Sequence, residues 1–372
     1  MGAPVGNNCG ESDESGCGRG LRLDIHHSCE FQIQPECKGE RLSMAILITG
    51  GTGFLGSYLT RHLVREKGIA GKDLILFERY PNRERIADVI NDVVLITGDV
   101  TEASELTAVI KQYEVDQVFH LAAILAEPTR AQVGSYMKVM CDGTLNVFEV
   151  SRIMGVKRVV YASSVAIYGR GSFKAKGAGA ELDENDPPDP MGFYGMCKLY
   201  SENLAALYSR RFKLETVGLR PTSVFGVGRG ARGSWASGLA APADVHYMVL
   251  PELAALGQPV EMPSDDSESD WIYAADAAEA WWRAMVTPAP PRLVYNLAAE
   301  RRRMADVTAH LRKLLPEARI GVSDKRVPNI ANMNCENLRK DLEFKPRYTM
   351  ETGLTEYVNA VRKSAGLAPV KA

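Results

Sequence analysis

Tyr194 and Lys198 stand four residues apart in the stretch Phe193-Tyr194-Gly195-Met196-Cys197-Lys198. If this stretch opens a helix, the two side chains share one face and an ammonium sits beneath a phenol. A phenol with its ordinary pKa of about 10 is a poor base at neutral pH, but a fixed neighbouring cation favours the phenolate and brings it toward working range. The pair can therefore move a proton. Many surface helices carry the same spacing, so its meaning depends on what surrounds it, beginning with the upstream run from Ala162 to Gly169.

A second constellation is Thr49-Gly50-Gly51-Thr52-Gly53-Phe54-Leu55-Gly56, between a predicted strand and a predicted helix. Glycines at 50, 53 and 56 permit a tight turn, close approach of the backbone to a pyrophosphate, and close helix packing. The helix amino terminus favours the anion. At the end of the next strand, Glu78 can accept hydrogen bonds from a ribose 2′-hydroxyl, which suits NAD. Arg79, followed by Arg83 and Arg85, can instead receive a 2′-phosphate, so NADP stays as the alternative. Asp99-Val100 follows the third strand, either beside the adenine or as an ordinary turn. His120-Leu121-Ala122-Ala123 closes the fourth strand at the carboxyl edge where such sheets bind ligands. The small alanines admit the cofactor, and His120 is read as structural.

These residues need a scaffold, and the chain supplies one from Met44 onward. Strands are expected at 45–49, 74–77, 93–97, 117–121 and 158–162. The helices between them are expected at 57–67, 103–113 and 136–154. Such alternation implies a parallel, doubly wound sheet. The segment from Arg170 to Met191 reads as a long loop. After the helix that begins near Tyr194 come a strand at 215–219 and a looser carboxyl-terminal portion, with a helix at 248–256, a strand at 271–273, a helix at 275–285, a strand near 294–297, and helices at 304–315 and 350–362. The expected organisation is a tail over 1–43 without fixed structure, a nucleotide-binding domain over 44–225, and a substrate-binding portion over 226–372 with some segments returning to the main sheet.

Composition narrows the class. A net charge of −2 and no long run of like charges argue against a nucleic-acid footprint. No stretch is apolar for long enough to span a membrane, and no signal-peptide core precedes Met44. Seven cysteines show neither a disulfide framework nor a zinc spacing: Cys9, Cys17, Cys29 and Cys37 lie in the tail, and Cys141, Cys197 and Cys335 are widely separated. Free thiols in a soluble, cytoplasmic protein without a metal are the expectation.

Taken in order, Thr49 to Gly56, His120 to Ala123, Ser163 to Gly169, Tyr194 to Lys198 and Leu219 to Gly226 resemble the extended short-chain dehydrogenase/reductase family, in its NAD-dependent epimerase/dehydratase branch. The resemblance covers roughly 44–357 and implies a Rossmann-type α/β fold with a smaller, interleaved substrate-binding portion. By that resemblance Tyr194 is the acid/base, Lys198 binds the nicotinamide ribose and lowers the Tyr194 pKa, and Ser164 hydrogen-bonds the reacting oxygen. Gly50, Thr52, Gly53, Phe54, Leu55, Gly56, Glu78, Arg79, Asp99, Val100, Leu121, Ala122 and Ala123 would hold the cofactor. The backbone around Pro221, Ser223 and Val224 would hold its nicotinamide. Arg220 either shares in that role or pairs with a carboxylate. A homodimer through paired helices is a further implication.

Two departures bear on the substrate. Met140 stands where the family commonly has an asparagine, and Ser269-Asp270-Trp271 stands where nucleotide-sugar epimerases commonly have Arg-Asp before an aromatic. Arg229 and Arg232 can supply the missing cation by clamping an anionic substrate, or they are solvated loop arginines. The expected activity is hydride transfer at a hydroxyl or carbonyl carbon of a sugar-like or anionic small molecule, as an epimerase or as a simple dehydrogenase. A dehydratase fits less well, because Val165 and Ala166 follow Ser164 where that branch has an Asp-Glu pair. A non-catalytic dinucleotide sensor would need the glycine loop without the Tyr194 base.

Overall fold

A strand that is apolar on both faces is satisfied only between two layers of other structure, and the first strand is of this kind. In the computed structural model, which describes residues 45–177, 180–229, 248–326 and 332–371, β1 (Ile46–Thr49) sends Ile46 and Ile48 into one core and Leu47 into the other. The chain continues through α1 (Phe54–Lys67), β2 (Gly71–Glu78), β3 (Val93–Thr97), α2 (Ala103–Tyr113), β4 (Gln117–His120), α3 (Val133–Met137) and α4 (Gly143–Met154). Next come β5 (Arg158–Ala162), α5 (Arg170–Lys176), α6 (Phe193–Phe212), β6 (Glu215–Pro221), β7 (Ser223–Phe225), α7 (Leu250–Ala255), β8 (Val260–Met262) and β9 (Glu268–Tyr273). The last elements are α8 (Ala274–Val286), β10 (Val294–Leu297), β11 (Glu300–Arg303), α9 (Met304–Leu314), β12 (Ile320–Val322), α10 (Glu336–Asp341) and α11 (Met350–Ser364).

Seven strands form a parallel Rossmann-type sheet in the order β10-β6-β5-β4-β1-β2-β3. Leu59 and Leu63 of α1 and Ala277 and Trp281 of α8 pack on one face. Leu106 of α2, Phe148 of α4 and Ala205 and Tyr208 of α6 pack on the other. The chain leaves β1 toward β2 on one side and reaches β4 on the other, so the loops after Thr49 and His120 part and open a crevice at the carboxyl edge. β10 extends the main sheet beside β6. The remaining carboxyl-terminal strands make the sheets β11-β9-β7 and β12-β8 around a core that includes Trp271, Tyr273, Leu311 and Tyr357.

The structure adds β7, β8, β11, β12 and α10 to the expected elements and departs from the expectation in two helical segments. Part of the expected loop over 170–191 is helical, because Asp189 accepts from Gly171 N (2.7 Å) and Ser172 donates to Pro187 O (2.7 Å), tying α5 down by long-range contacts. The expected single helix over 136–154 is interrupted by a π-helical turn, Lys138–Asp142, between α3 and α4. The expected tail over 1–43, with Cys9, Cys17, Cys29 and Cys37, lies outside the described residues. Among the described residues Cys141, Cys197 and Cys335 are free, no three His, Cys, Asp or Glu side chains converge on a metal position, and no helix is long and apolar enough to cross a membrane.

Candidate active site

Tyr194 lies in the first turn of α6, and two contacts fix that turn. The Glu127 carboxylate accepts from the backbone N–H of Phe193 and of Tyr194, each at 3.1 Å, which satisfies donors that a helix start leaves open. Gly195 then presses on the short turn Val165–Ile167. A Cβ there would overlap Ala166 O, so only glycine lets the helix come this close. The contact sets the Tyr194 turn against the turn that starts at Ser164, whose Oγ accepts from Ala166 N at 3.1 Å. Lys198, one helical turn on, is buried; its Nζ donates to Ala162 O at 2.7 Å and lies 5.6 Å from the centroid of the Tyr194 ring. Burial pushes the pKa of the Lys198 ammonium down to about 8. Tyr194 itself is half-buried.

The glycine loop adjoins this group at the same edge of the sheet. Gly50 has φ +79°, and a Cβ on it would strike Ala122 N at 2.7 Å. Gly56 faces Gly50 O so closely that a Cβ would overlap it, and α1 therefore begins directly behind the turn. No side chain caps α1 and no acidic residue lies in its first turn. This cradle of bare backbone before an uncapped helix start fits a dinucleotide pyrophosphate. Residues Gly50, Thr52, Gly53, Phe54, Leu55 and Gly56 would hold NAD there, with Leu121, Ala122 and Ala123 across the crevice.

The other expected ligand residues fall into distinct settings. Glu78 accepts from Thr52 N and, at 2.9 Å, from Thr52 Oγ1. Burial pushes its pKa up, against the pull of those hydrogen bonds and of Arg85. Arg79 is ion-paired with Asp99 at 3.0 Å, and Asp99 also accepts from Thr101 N at 2.9 Å. Val100 is buried in the core, with its carbonyl accepting from Asn146 at 3.1 Å. Pro221 ends β6 beside Leu297, Ser223 Oγ lies 2.9 Å from Ser269 Oγ, and Val224 is buried. Arg220 is paired with Glu202 in the interior, the carboxylate-paired alternative of the two that its sequence position allows. Arg229 is buried with its guanidinium 5.2 Å from the Phe54 ring, which is not the setting of a solvated loop arginine. Arg232 lies outside the described residues.

His120 is buried between two hydroxyls: Thr49 Oγ1 lies 2.8 Å from Nδ1 and Thr144 Oγ1 3.1 Å from Nε2, and burial holds its pKa down at about 3. Met140 sits in the π-turn, and its Sδ accepts from Ile124 N at 3.2 Å, a weak thioether brace where the family commonly offers an amide. Asp270 accepts from Asn332 N (2.7 Å) and Met333 N (2.9 Å).

Sequence reasoning passed over Glu127 and Glu202, and it read Arg85 only as a cation for a 2′-phosphate. Glu202 had a signal, since it extends the Tyr194, Lys198 spacing by another four residues. Glu127 had none, because its partner Phe193 lies 66 residues away along the chain, and the tie from Arg85 to Thr52 O, 33 residues back, had none either.

Comparison with known proteins gives the family and the fold. The profile of the NAD dependent epimerase/dehydratase family matches residues 46–298. The D-erythronate dehydrogenase of Cupriavidus necator is 32% identical over 210 residues, 53% of this chain and 61% of that protein. Among solved structures, the L-threonine dehydrogenase of Clostridium difficile superposes with a TM-score of 0.74 at 22% identity, over 87% of this chain and 98% of that one. The UDP-glucose 4-epimerase of Thermus thermophilus, solved in complex with NAD, superposes with a TM-score of 0.70 at 22% identity, over 86% of this chain and 99% of that one. At such identities the structural likeness speaks for the fold.

Proposed function

This chain belongs to the NAD-dependent epimerase/dehydratase family, and on that premise we propose that it catalyses hydride transfer at a hydroxyl or carbonyl carbon of a sugar-like or anionic small molecule, with Tyr194 as acid/base. The observation that carries the reading is the packing of the Tyr194 turn, with Lys198 beneath it, on the Ser164 turn at the edge where the glycine cradle opens. Bound NAD supplies the hydride acceptor. Ser164 offers a hydroxyl to the reacting oxygen. Tyr194 takes that oxygen's proton as it becomes a carbonyl, and returns the proton when the direction reverses. Lys198 keeps a positive charge beside the phenol and so favours the phenolate that does this. A sensor would bind the dinucleotide without needing any of the three.

Two outcomes of the same chemistry remain distinct: an epimerase returns the hydride to its substrate, whereas a dehydrogenase releases the changed cofactor. The dehydrogenase reading, on a small hydroxy acid, is supported by Ser269, which bonds neutral Ser223 at a position where nucleotide-sugar epimerases commonly carry a cation. The similarity to a D-erythronate dehydrogenase points the same way. A screen of sugars, sugar acids and nucleotide sugars with NAD and NADP separates the two, since NADH accumulates in one case and not in the other.

Tyr194→Phe tests the shared step. It should lower kcat by roughly 10²- to 10⁴-fold and leave NAD affinity, read by calorimetry, unchanged. A variant that keeps its rate would remove Tyr194 from the mechanism.

A further inference from the structure

Glu202 carries the Tyr194 and Lys198 face of α6 one turn further and is buried. Its carboxylate takes a guanidinium in a two-pronged pair, Oε1 accepting from Arg220 Nε at 2.7 Å and Oε2 from Arg220 Nη2 at 2.7 Å. Ser163, the residue before Ser164, donates its hydroxyl to the same Oε1. Arg220 also donates from Nη1 to Tyr168 Oη at 2.5 Å and lies 5.2 Å from that ring's centroid, and Tyr168 donates onward to Asp183 O at 2.8 Å. Three chain segments meet on this pair. They are the helix of Tyr194 and Lys198, the end of β5 that leads into Ser164, and the end of β6 that leads into Pro221.

A buried ion pair adds little net stability, because the cost of removing both charges from water offsets their attraction, and apolar residues of similar volume often do as well. What a carboxylate and a guanidinium do that apolar groups cannot is fix direction. The planar fork accepts one relative orientation of its partners. Lys198 is held by Ala162 O, one residue before Ser163, so any rotation of α6 against the end of β5 moves ammonium and phenol together away from Ser164.

We propose that Glu202 and Arg220 are positioning residues, which lock the tyrosine helix to the ends of β5 and β6 and so hold Tyr194, Lys198 and Ser164 in working register. The proposal rests on the reading in which Tyr194 is the acid/base. Tyr194 is faced by Lys198 and Cys197 from its own helix, by Glu127 from the loop after β4, and by Tyr136 and Cys141 from the segment before α4. None of these groups changes in the test.

The test is the double variant Glu202→Met/Arg220→Met, which keeps the interior filled, compared with the full-length wild type. Thermal unfolding and NAD affinity are measured first, then kcat and KM. The Tyr194 titration is read from phenolate absorbance as the difference between each protein and the same protein carrying Tyr194→Phe. The expected result is a folded protein with unchanged NAD affinity, a kcat lower by about a hundredfold with KM little altered, and a Tyr194 titration shifted upward. Unchanged kcat and an unchanged titration in the folded double variant would overturn the proposal. If that variant does not fold, Arg220→Lys takes its place, since it keeps the charge but not the fork. A fall in kcat at unaltered melting temperature supports the proposal, and wild-type kcat overturns it. If Tyr194→Phe alone keeps its rate, the acid/base reading has failed, and the titration shift still decides whether the pair positions Tyr194.

Discussion

Lys198 is a charge kept in the interior at a cost. Its folded-state pKa, about 8, lies below the ordinary 10.5 because burial disfavours the ammonium. Below about pH 8 both folded and unfolded chains hold the proton, and the folded state bears the full desolvation cost. Between about 8 and 10.5 the unfolded chain binds more protons, so this group's contribution makes stability rise with pH across that window. The shift corresponds to about 3 kcal/mol. Lys198→Met, assayed without cofactor, should therefore melt roughly 2–5 °C higher at pH 7, with the gain fading toward pH 10, while turnover is lost. A melting temperature that falls at pH 7 would mean that the bond to Ala162 O outweighs the buried charge. On the reading in which Lys198 supports the Tyr194 base, this is stability given up for function, a familiar trade in enzymes.

The α6 helix depends on two partners that are not helical. Glu127 satisfies its first donors, and Gly195 lets it lie on the turn after Ser164. Gly195→Ala suits the helix itself, since alanine is the better helix former by about 1 kcal/mol. Yet the added carbon collides with Ala166 O, so the helix must move. The expected outcome is a kcat lower by about tenfold or more with NAD affinity retained, because a small displacement of a catalytic group is enough to slow the step. A variant as fast as wild type, with a raised melting temperature, would show that the contact does not set the position of Tyr194.

Across the whole molecule, the cofactor cradle is tied to the loop that follows β7. Arg85 donates from Nη1 to Thr52 O and from Nη2 to Gly228 O, 3.1 Å in each case, and Arg61 donates to the Arg85 carbonyl. One side chain thus joins the glycine loop to the carboxyl-terminal portion. Arg85→Met should raise the NAD dissociation constant and the substrate KM together, by roughly tenfold, the worth of one charged hydrogen bond. If only one of the two constants changes, the loops act independently.

Local pattern was enough for the sheet, because strands buried on both faces must be apolar throughout and the turns between them carry glycine where backbone crowds backbone. The cradle at Gly50 to Gly56 and the Tyr194, Lys198 spacing were legible for the same reason, since each function is built from neighbours in the chain. What Arg220 faces was not legible. Its position allowed a ligand or a carboxylate, and only the approach of α6 to β6 brought Glu202 to it. The pairing of Arg79 with Asp99 was likewise not legible, since the two lie 20 residues apart in the chain. The short helix at Arg170–Lys176 arises from contacts with distant segments, which no local period records. Sequence by itself determined the glycine loop and the Tyr194, Lys198 spacing on which the proposed chemistry rests, because both are built from residue types at short spacings. Tertiary structure alone decided which charges are paired with each other and which can face a ligand, because pairing depends on distances between segments far apart in the chain.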